Sequence, residues 1–123
     1  LKEAAAGRRI IMVDDSIVRG TTSALIVNML RDAGAREVHV RISAPPFLHP
    51  CYFGTDIPSE DQLIAHGHTV EEIRDMIGAD SLSYLKMERL QEMACSRSIC
   101  TACFSGKYPI EPPVEDIRGS YDK

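Results

Sequence analysis

The strongest constraint on this chain is a short apolar run that feeds a polar, hydroxyl-rich loop, which in turn opens into an amphipathic helix. Ile10, Ile11, Met12 and Val13 follow Arg8-Arg9 and stop at Asp14-Asp15. A continuous apolar run bounded by charges reads as a parallel strand buried on both faces. After the loop, Leu25, Ile26, Met29, Leu30 and Ala33 recur at helical spacing, and Gly34 stands where a helix ends. Val38, Val40 and Ile42 then alternate with His39 and Arg41, the period of a strand packed on one face. Strand, helix and strand joined by short connections imply a right-handed parallel crossover. The fold class is therefore α/β, a parallel sheet flanked by helices.

Residues 45–58 lack periodicity and read as an extended loop. Ser59-Glu60-Asp61-Gln62 and Thr69-Val70-Glu71-Glu72 both fit the capping-box pattern, so two short helices are expected. Val70, Ile73 and Ile77 share a face of the second, and Gly78 stops it. Residues 81–85 fit a short strand, and Met87, Leu90 and Met93 mark a last helix. Residues 1–104 thus form the folded part. Residues 105–123, with Pro109, Pro112, Pro113 and many charges, read as a tail laid on a surface or left mobile.

Composition narrows the partners. The chain has 123 residues, enough for one core, with 44% hydrophobic and 26% charged residues, as in an ordinary soluble domain. No apolar run approaches the ~18 residues of a membrane span, and no secretory signal is visible. A cytoplasmic protein without a membrane partner is expected. The formal charge is -4 and basic residues cluster only at Arg8-Arg9, which argues against a nucleic-acid partner. Leu1 begins within a polar helix end, as though the segment were cut from a longer protein.

The loop Asp14-Asp15-Ser16-Ile17-Val18-Arg19-Gly20-Thr21-Thr22-Ser23 carries the chemistry. It falls at the carboxyl end of a strand, where open α/β sheets bind ligands. Gly20 permits a tight turn, and the amides of Thr21 to Ser23 then point out of a helix N-terminus, a phosphate site helped by three hydroxyls. Neither a Walker A lysine nor a GxGxxG pattern is present. Two adjacent carboxylates would repel a phosphate if they faced it. They make sense facing a sugar diol, a Mg²⁺ ion or a developing positive charge. Two acids alone would more often be a simple helix cap; the whole string after an apolar strand is far more specific.

That string, VDDSIVRGTTS, resembles the phosphoribosyl-pyrophosphate motif of the type I phosphoribosyltransferases. More narrowly, it is similar to that of the glutamine phosphoribosylpyrophosphate amidotransferases, which open purine synthesis. The likeness continues through HVRISAPP, PCYFG, VEEIRDMIGADSLSYL and CTACFSGKYP, most of residues 8–110. It implies the carboxy-terminal part of a phosphoribosyltransferase domain with a helical end. Asp14 and Asp15 would serve the ribose hydroxyls, directly or through Mg²⁺, and Ser16 and Arg19 to Ser23 would hold the 5-phosphate. The implied reaction displaces pyrophosphate from C1 with ammonia drawn from glutamine, giving phosphoribosylamine, in what is expected to be a homo-oligomer. The glutaminase domain, the first strands of the sheet, the pyrophosphate loop and the lid would lie outside this chain. An uncovered strand edge and helix face, self-association and no activity of the chain alone are then expected.

Cys100 and Cys103 form a C-x-x-C, a spacing that lets two thiolates reach one metal, and Cys95 makes C-x4-C-x2-C with them. The resemblance implies Cys51, Cys100 and Cys103 as ligands of a [4Fe-4S] cluster whose fourth ligand lies upstream of Leu1. Zinc or free thiols are the alternatives, and Cys95 has no assigned role. His66-Gly67-His68 reads as a solvated turn without nearby partners, and His39 and His49 as structural. Two other functions would use the same loop. A regulatory module sensing a phosphoribosyl compound fits poorly with the acidic balance, and a nucleobase phosphoribosyltransferase leaves PCYFG and CTACFSGKYP unexplained.

Overall fold

The computed structural model describes residues 2–57, 59–95 and 97–112. After a short helix α1 (Lys2–Ala5), three strands, β1 (Arg9–Asp14), β2 (Glu37–Ile42) and β3 (Ser81–Tyr84), form one parallel sheet in the order β1-β2-β3. Ile10 pairs with Val38, and Met12 with Val40, which pairs in turn with Leu82. Side chains paired in this way share a face. That face packs against α2 (Thr21–Asp32) and α4 (Val70–Ile77), so that Val27, Leu30, Val38, Val40, Ile73, Ile77 and Leu82 form the core.

The alternation in β2 is as expected, with Val38, Val40 and Ile42 buried. β1 departs from the expected burial on both faces. Ile10 and Met12 are half-buried, whereas Ile11 is 68% and Val13 72% exposed. The reason is packing: α2 and α4 cover one side, and the side that bears Ile11 and Val13 stays open at β1. The buried stripe of α2 also differs. It runs through Ser23, Val27 and Leu30, leaving Leu25 and Met29 exposed. This helix has apolar residues on two sides, and β2 and α4 take only one of them.

The helix ends follow the sequence more closely. Gly34 adopts φ 92°, its amide bonding the Arg31 carbonyl while the Ala35 amide bonds that of Leu30, which closes α2. Thr69 caps α4 with a complete capping box: its hydroxyl accepts the Glu72 amide, and the Glu72 carboxylate accepts the Thr69 amide. Ile73 and Ile77 are buried in α4 and Val70 is exposed, with Gly78 left-handed at the end. Ser59 forms no such box. Its hydroxyl turns to the Asp61 carboxylate, and Glu60–Gln62 make a 3₁₀ turn before α3 (Ile64–Gly67). α5 (Met87–Met93) buries no residue, and it is not the last helix, because α6 (Ala102–Ser105) follows.

The Tyr108 hydroxyl donates to the Pro50 carbonyl at 2.8 Å, and its ring packs on Tyr52 and Phe53. The start of the expected tail therefore lies on the surface of the domain, and residues 113–123 lie outside the described residues. Among the described residues no helix is long and apolar enough to cross a membrane.

Candidate functional site

β1 ends at Asp14, at the carboxyl edge of the sheet, and three contacts fix the loop that leaves it. Ile17, only 2% exposed, anchors it in the core. The Val18 carbonyl accepts the Ile64 amide at 2.9 Å, joining the loop to α3. Gly20 holds φ 82°, a left-handed conformation costly for other residues, and a Cβ there would lie 2.7 Å from Ile64 Cδ1. Neither Ile17 nor Ile64 was singled out by the sequence. The apolar pair Ile17-Val18 inside a polar loop was the available signal for Ile17.

α2 begins immediately after Gly20 with no side-chain cap, and its first backbone bond runs from the Ala24 amide to the Gly20 carbonyl. The amides of Thr21, Thr22 and Ser23 are left for a ligand, at the positive end of a twelve-residue helix. Residues 14–23 line one cavity of about 440 Å³. It brings together Asp14, Asp15, Ser16, Arg19, Gly20, Thr21, Thr22 and Ser23. Thr21, Thr22 and Arg19 are exposed, while Ser23 is 3% exposed. Among the described residues one more, Asp56 from the loop after β2, also lines it; no periodicity or motif pointed to it.

The paired acids are partly committed within the loop. Asp14 Oδ1 accepts the Asp15 amide at 2.9 Å, and Asp15 Oδ1 accepts the Ser16 hydroxyl at 2.7 Å. Each keeps its second oxygen for a ligand. Such donors suit Mg²⁺, which takes one or two carboxylates and fills its shell with ligand and water oxygens. Among the described residues no three His, Cys, Asp or Glu side chains converge on a ready-made metal position.

The cysteines occupy a second region. Leu48 and His49 both donate their amides to the Cys103 carbonyl, at 2.9 and 3.0 Å, tying the 45–51 segment to α6. Burial raises the Cys51 thiol pKa, but the amides of Phe53, Thr55 and Gly54 outweigh it and hold the thiol below its usual value. Burial raises that of Cys103, and the neighbouring Cys51 and Cys100 add to the rise. The three thiols share one neighbourhood and suit an iron–sulfur cluster in kind, but they do not converge as a finished site. Cys95 is exposed at φ 51°.

His66 does not stand without partners. Its Nδ1–H donates to the Leu48 carbonyl at 2.9 Å, and Nε2 lies 3.6 Å from Glu60, whose other oxygen is 2.9 Å from His49 Nδ1. His68 Nδ1–H donates to the Ile64 carbonyl at 3.0 Å. His39 bridges Ser81 and Glu37 within the sheet, a structural place as expected.

A parallel sheet whose first strand ends in paired acids and turns through a left-handed glycine into an uncapped helix is a type I phosphoribosyltransferase arrangement. The solved structure of glutamine phosphoribosylpyrophosphate amidotransferase from B. subtilis, complexed with ADP and GMP, superposes with a TM-score of 0.85 at 51% identity, covering 94% of this chain and 27% of that one. No family model matches the chain. It is 52% identical over 122 residues to an amidophosphoribosyltransferase of Archaeoglobus fulgidus, covering 96% of this chain and 27% of that protein. It is 56% identical over 121 residues to the amidophosphoribosyltransferase of Synechococcus elongatus, covering 96% and 24%. The chain belongs to the amidophosphoribosyltransferase family, and it spans about a quarter of the length of the curated relatives it matches.

Proposed function

We propose that this chain supplies the grip on the 5-phosphate and ribose diol in an amidophosphoribosyltransferase. The observation that carries this reading is the single cavity that sets the uncapped first turn of α2, behind left-handed Gly20, beside the paired carboxylates of Asp14 and Asp15. The amides of Thr21 to Ser23, the hydroxyls around them and Arg19 hold the phosphate. Asp14 and Asp15 take the diol and favour positive charge as it develops on the ring. The nitrogen of ammonia bonds to C1 as the bond from C1 to the pyrophosphate oxygen breaks. Pyrophosphate leaves with the electron pair, and the new ammonium sheds a proton. Bound at Asp14 and Asp15, Mg²⁺ would neutralise charge on the leaving group. Glutamine, as the ammonia source, belongs to the longer parent.

Cys51, Cys100 and Cys103 would serve as cluster ligands if the three thiols close up around iron; no step of the reaction runs through them. The division at residue 104 and a cytoplasmic location belong to the same reading. In the longer parent, Asp15→Asn is expected to lower glutamine-dependent pyrophosphate release by roughly a hundredfold or more while leaving phosphate affinity nearly unchanged. An unchanged turnover rate would refute the assignment.

A further inference from the structure

Helix α3 spans four residues, a single turn. One turn does not hold itself in water, so its place is set by what it touches. Toward the phosphate loop it makes two contacts. The Ile64 amide donates to the Val18 carbonyl at 2.9 Å, and the Ile64 side chain lies so close to Gly20 that a Cβ there would come within 2.7 Å of Cδ1. Two residues on, the His66 Nδ1–H reaches back to the Leu48 carbonyl at 2.9 Å. A carbonyl only accepts, so Nδ1 carries a proton. Leu48 is in turn anchored, because its own amide donates to the Cys103 carbonyl at 2.9 Å. Glu60, in the 3₁₀ turn before α3, makes a parallel tie to His49 at 2.9 Å, with side chains 45% and 31% exposed. An exposed pair of that kind contributes little. The bond from His66 to a backbone carbonyl is the stronger tether.

We infer that His66 is a positioning residue for the phosphate loop. Its bond to Leu48 holds α3 against the anchored 45–51 segment, and α3 presents Ile64 to the Val18 carbonyl and to Gly20. The ring does not line the cavity and acts through Ile64. Without its donor, the turn keeps the apolar contacts of Leu63 and Ile64, both buried, but loses a directed tether. Burial is non-directional and leaves the turn free to shift by small amounts. The turn at Gly20 then loosens, and a ligand must order the amides of Thr21 to Ser23 as it binds, which costs affinity. The inference rests on the phosphoribosyl reading above.

The test compares the unmodified chain with His66→Leu, which keeps bulk but no donor, and His66→Asn, whose amide nitrogen stands where Nδ1 does along the side chain. Ribose 5-phosphate is titrated into each by calorimetry, and amide hydrogen exchange is followed in the free proteins. In His66→Leu the affinity falls by roughly three- to tenfold, the loss of one hydrogen bond, and His66→Asn recovers it to within about twofold. Exchange at the Ile64 amide quickens in His66→Leu alone, while exchange in β2 stays as in the unmodified chain. Unchanged affinity in His66→Leu overturns the inference, as does an equal loss in His66→Asn. Exchange that quickens in β2 as much as at Ile64 overturns it too, because the ring would then support the whole fold and not the loop. In each of these cases the unmodified chain still binds. If it does not bind ribose 5-phosphate, the phosphoribosyl reading itself is refuted and the inference falls with it.

Discussion

Replacing Gly20 by alanine tests whether the loop is held by its neighbours or merely sits beside them. Two costs arise. The left-handed φ of 82° costs an alanine about 1–2 kcal/mol. The new methyl would lie 2.7 Å from Ile64 Cδ1 and 3.7 Å from Ile77 Cγ2, an overpacking worth about 1–3 kcal/mol. Because Cδ1 is the free end of a side chain, the lower part of that range applies, and a total near 2–3 kcal/mol follows. In urea, with a slope of about 2 kcal/mol/M, the midpoint falls by roughly 1–1.5 M. Ile64→Val removes the clashing atom at a cost of its own of about 0.5–1.5 kcal/mol. The double variant should therefore lose less than the two singles combined, by about 1 kcal/mol, while the backbone part of the loss persists. Strict additivity, or a Gly20→Ala protein within about 0.5 kcal/mol of the original, would refute the account of the loop.

Thr69→Ala should destabilise the domain by about 1 kcal/mol in denaturant melts, and Ser59→Ala by under about 0.5 kcal/mol, because only Thr69 closes a capping box; equal losses would contradict this. The Asp80 carboxyl is held below its usual pKa by the Val38 amide and by Arg31. Its stabilisation is therefore present above the unfolded carboxyl value and lost as pH falls through the folded one, so Asp80→Asn should flatten the decline of stability on acidification below about pH 4. Burial pushes the Tyr84 hydroxyl up to about 12, and that hydroxyl has no partner among the described residues. The fold therefore loses stability as pH rises from about 10 toward 12, where the unfolded phenol ionises and the buried one does not, and below that range the hydroxyl contributes no such loss. Tyr84→Phe should leave stability at neutral pH within about 0.5 kcal/mol or improve it, and remove this alkaline loss in melts followed across the range.

What the sequence disclosed was local. The alternation of Val38, Val40 and Ile42, the stop at Gly34 and the box at Thr69 all depend on neighbours a few residues away, and the structure contains each. The loop from Asp14 to Ser23 was legible for the same reason, since its amides, hydroxyls and acids are adjacent in the chain. What escaped depended on packing between distant segments. Leu25 and Met29 fit an apolar stripe as well as Val27 and Leu30 do, and only the positions of β2 and α4 decide between them. Ile11 has the composition of a doubly covered strand, yet its burial requires a second layer. Asp56 lies in a stretch without periodicity and becomes meaningful only when folding brings it to the lining of the loop's cavity. The neighbourhood of Cys51 with Cys103 likewise arises from the amides of Leu48 and His49, a link that cysteine spacing does not encode.

The bond from the Ile64 amide to the Val18 carbonyl has a consequence in time as well as in space. Strand β1, helix α2 and strand β2 are contiguous, so their contacts close short loops and form early. The loop at Gly20, by contrast, waits for a residue more than forty positions downstream. On a ribosome, the motif would emerge first and remain unshaped until α3 has cleared the exit tunnel. Ligand affinity should then appear abruptly along a series of stalled nascent chains, at the length that frees Ile64, well after the ten loop residues that line the cavity have been made.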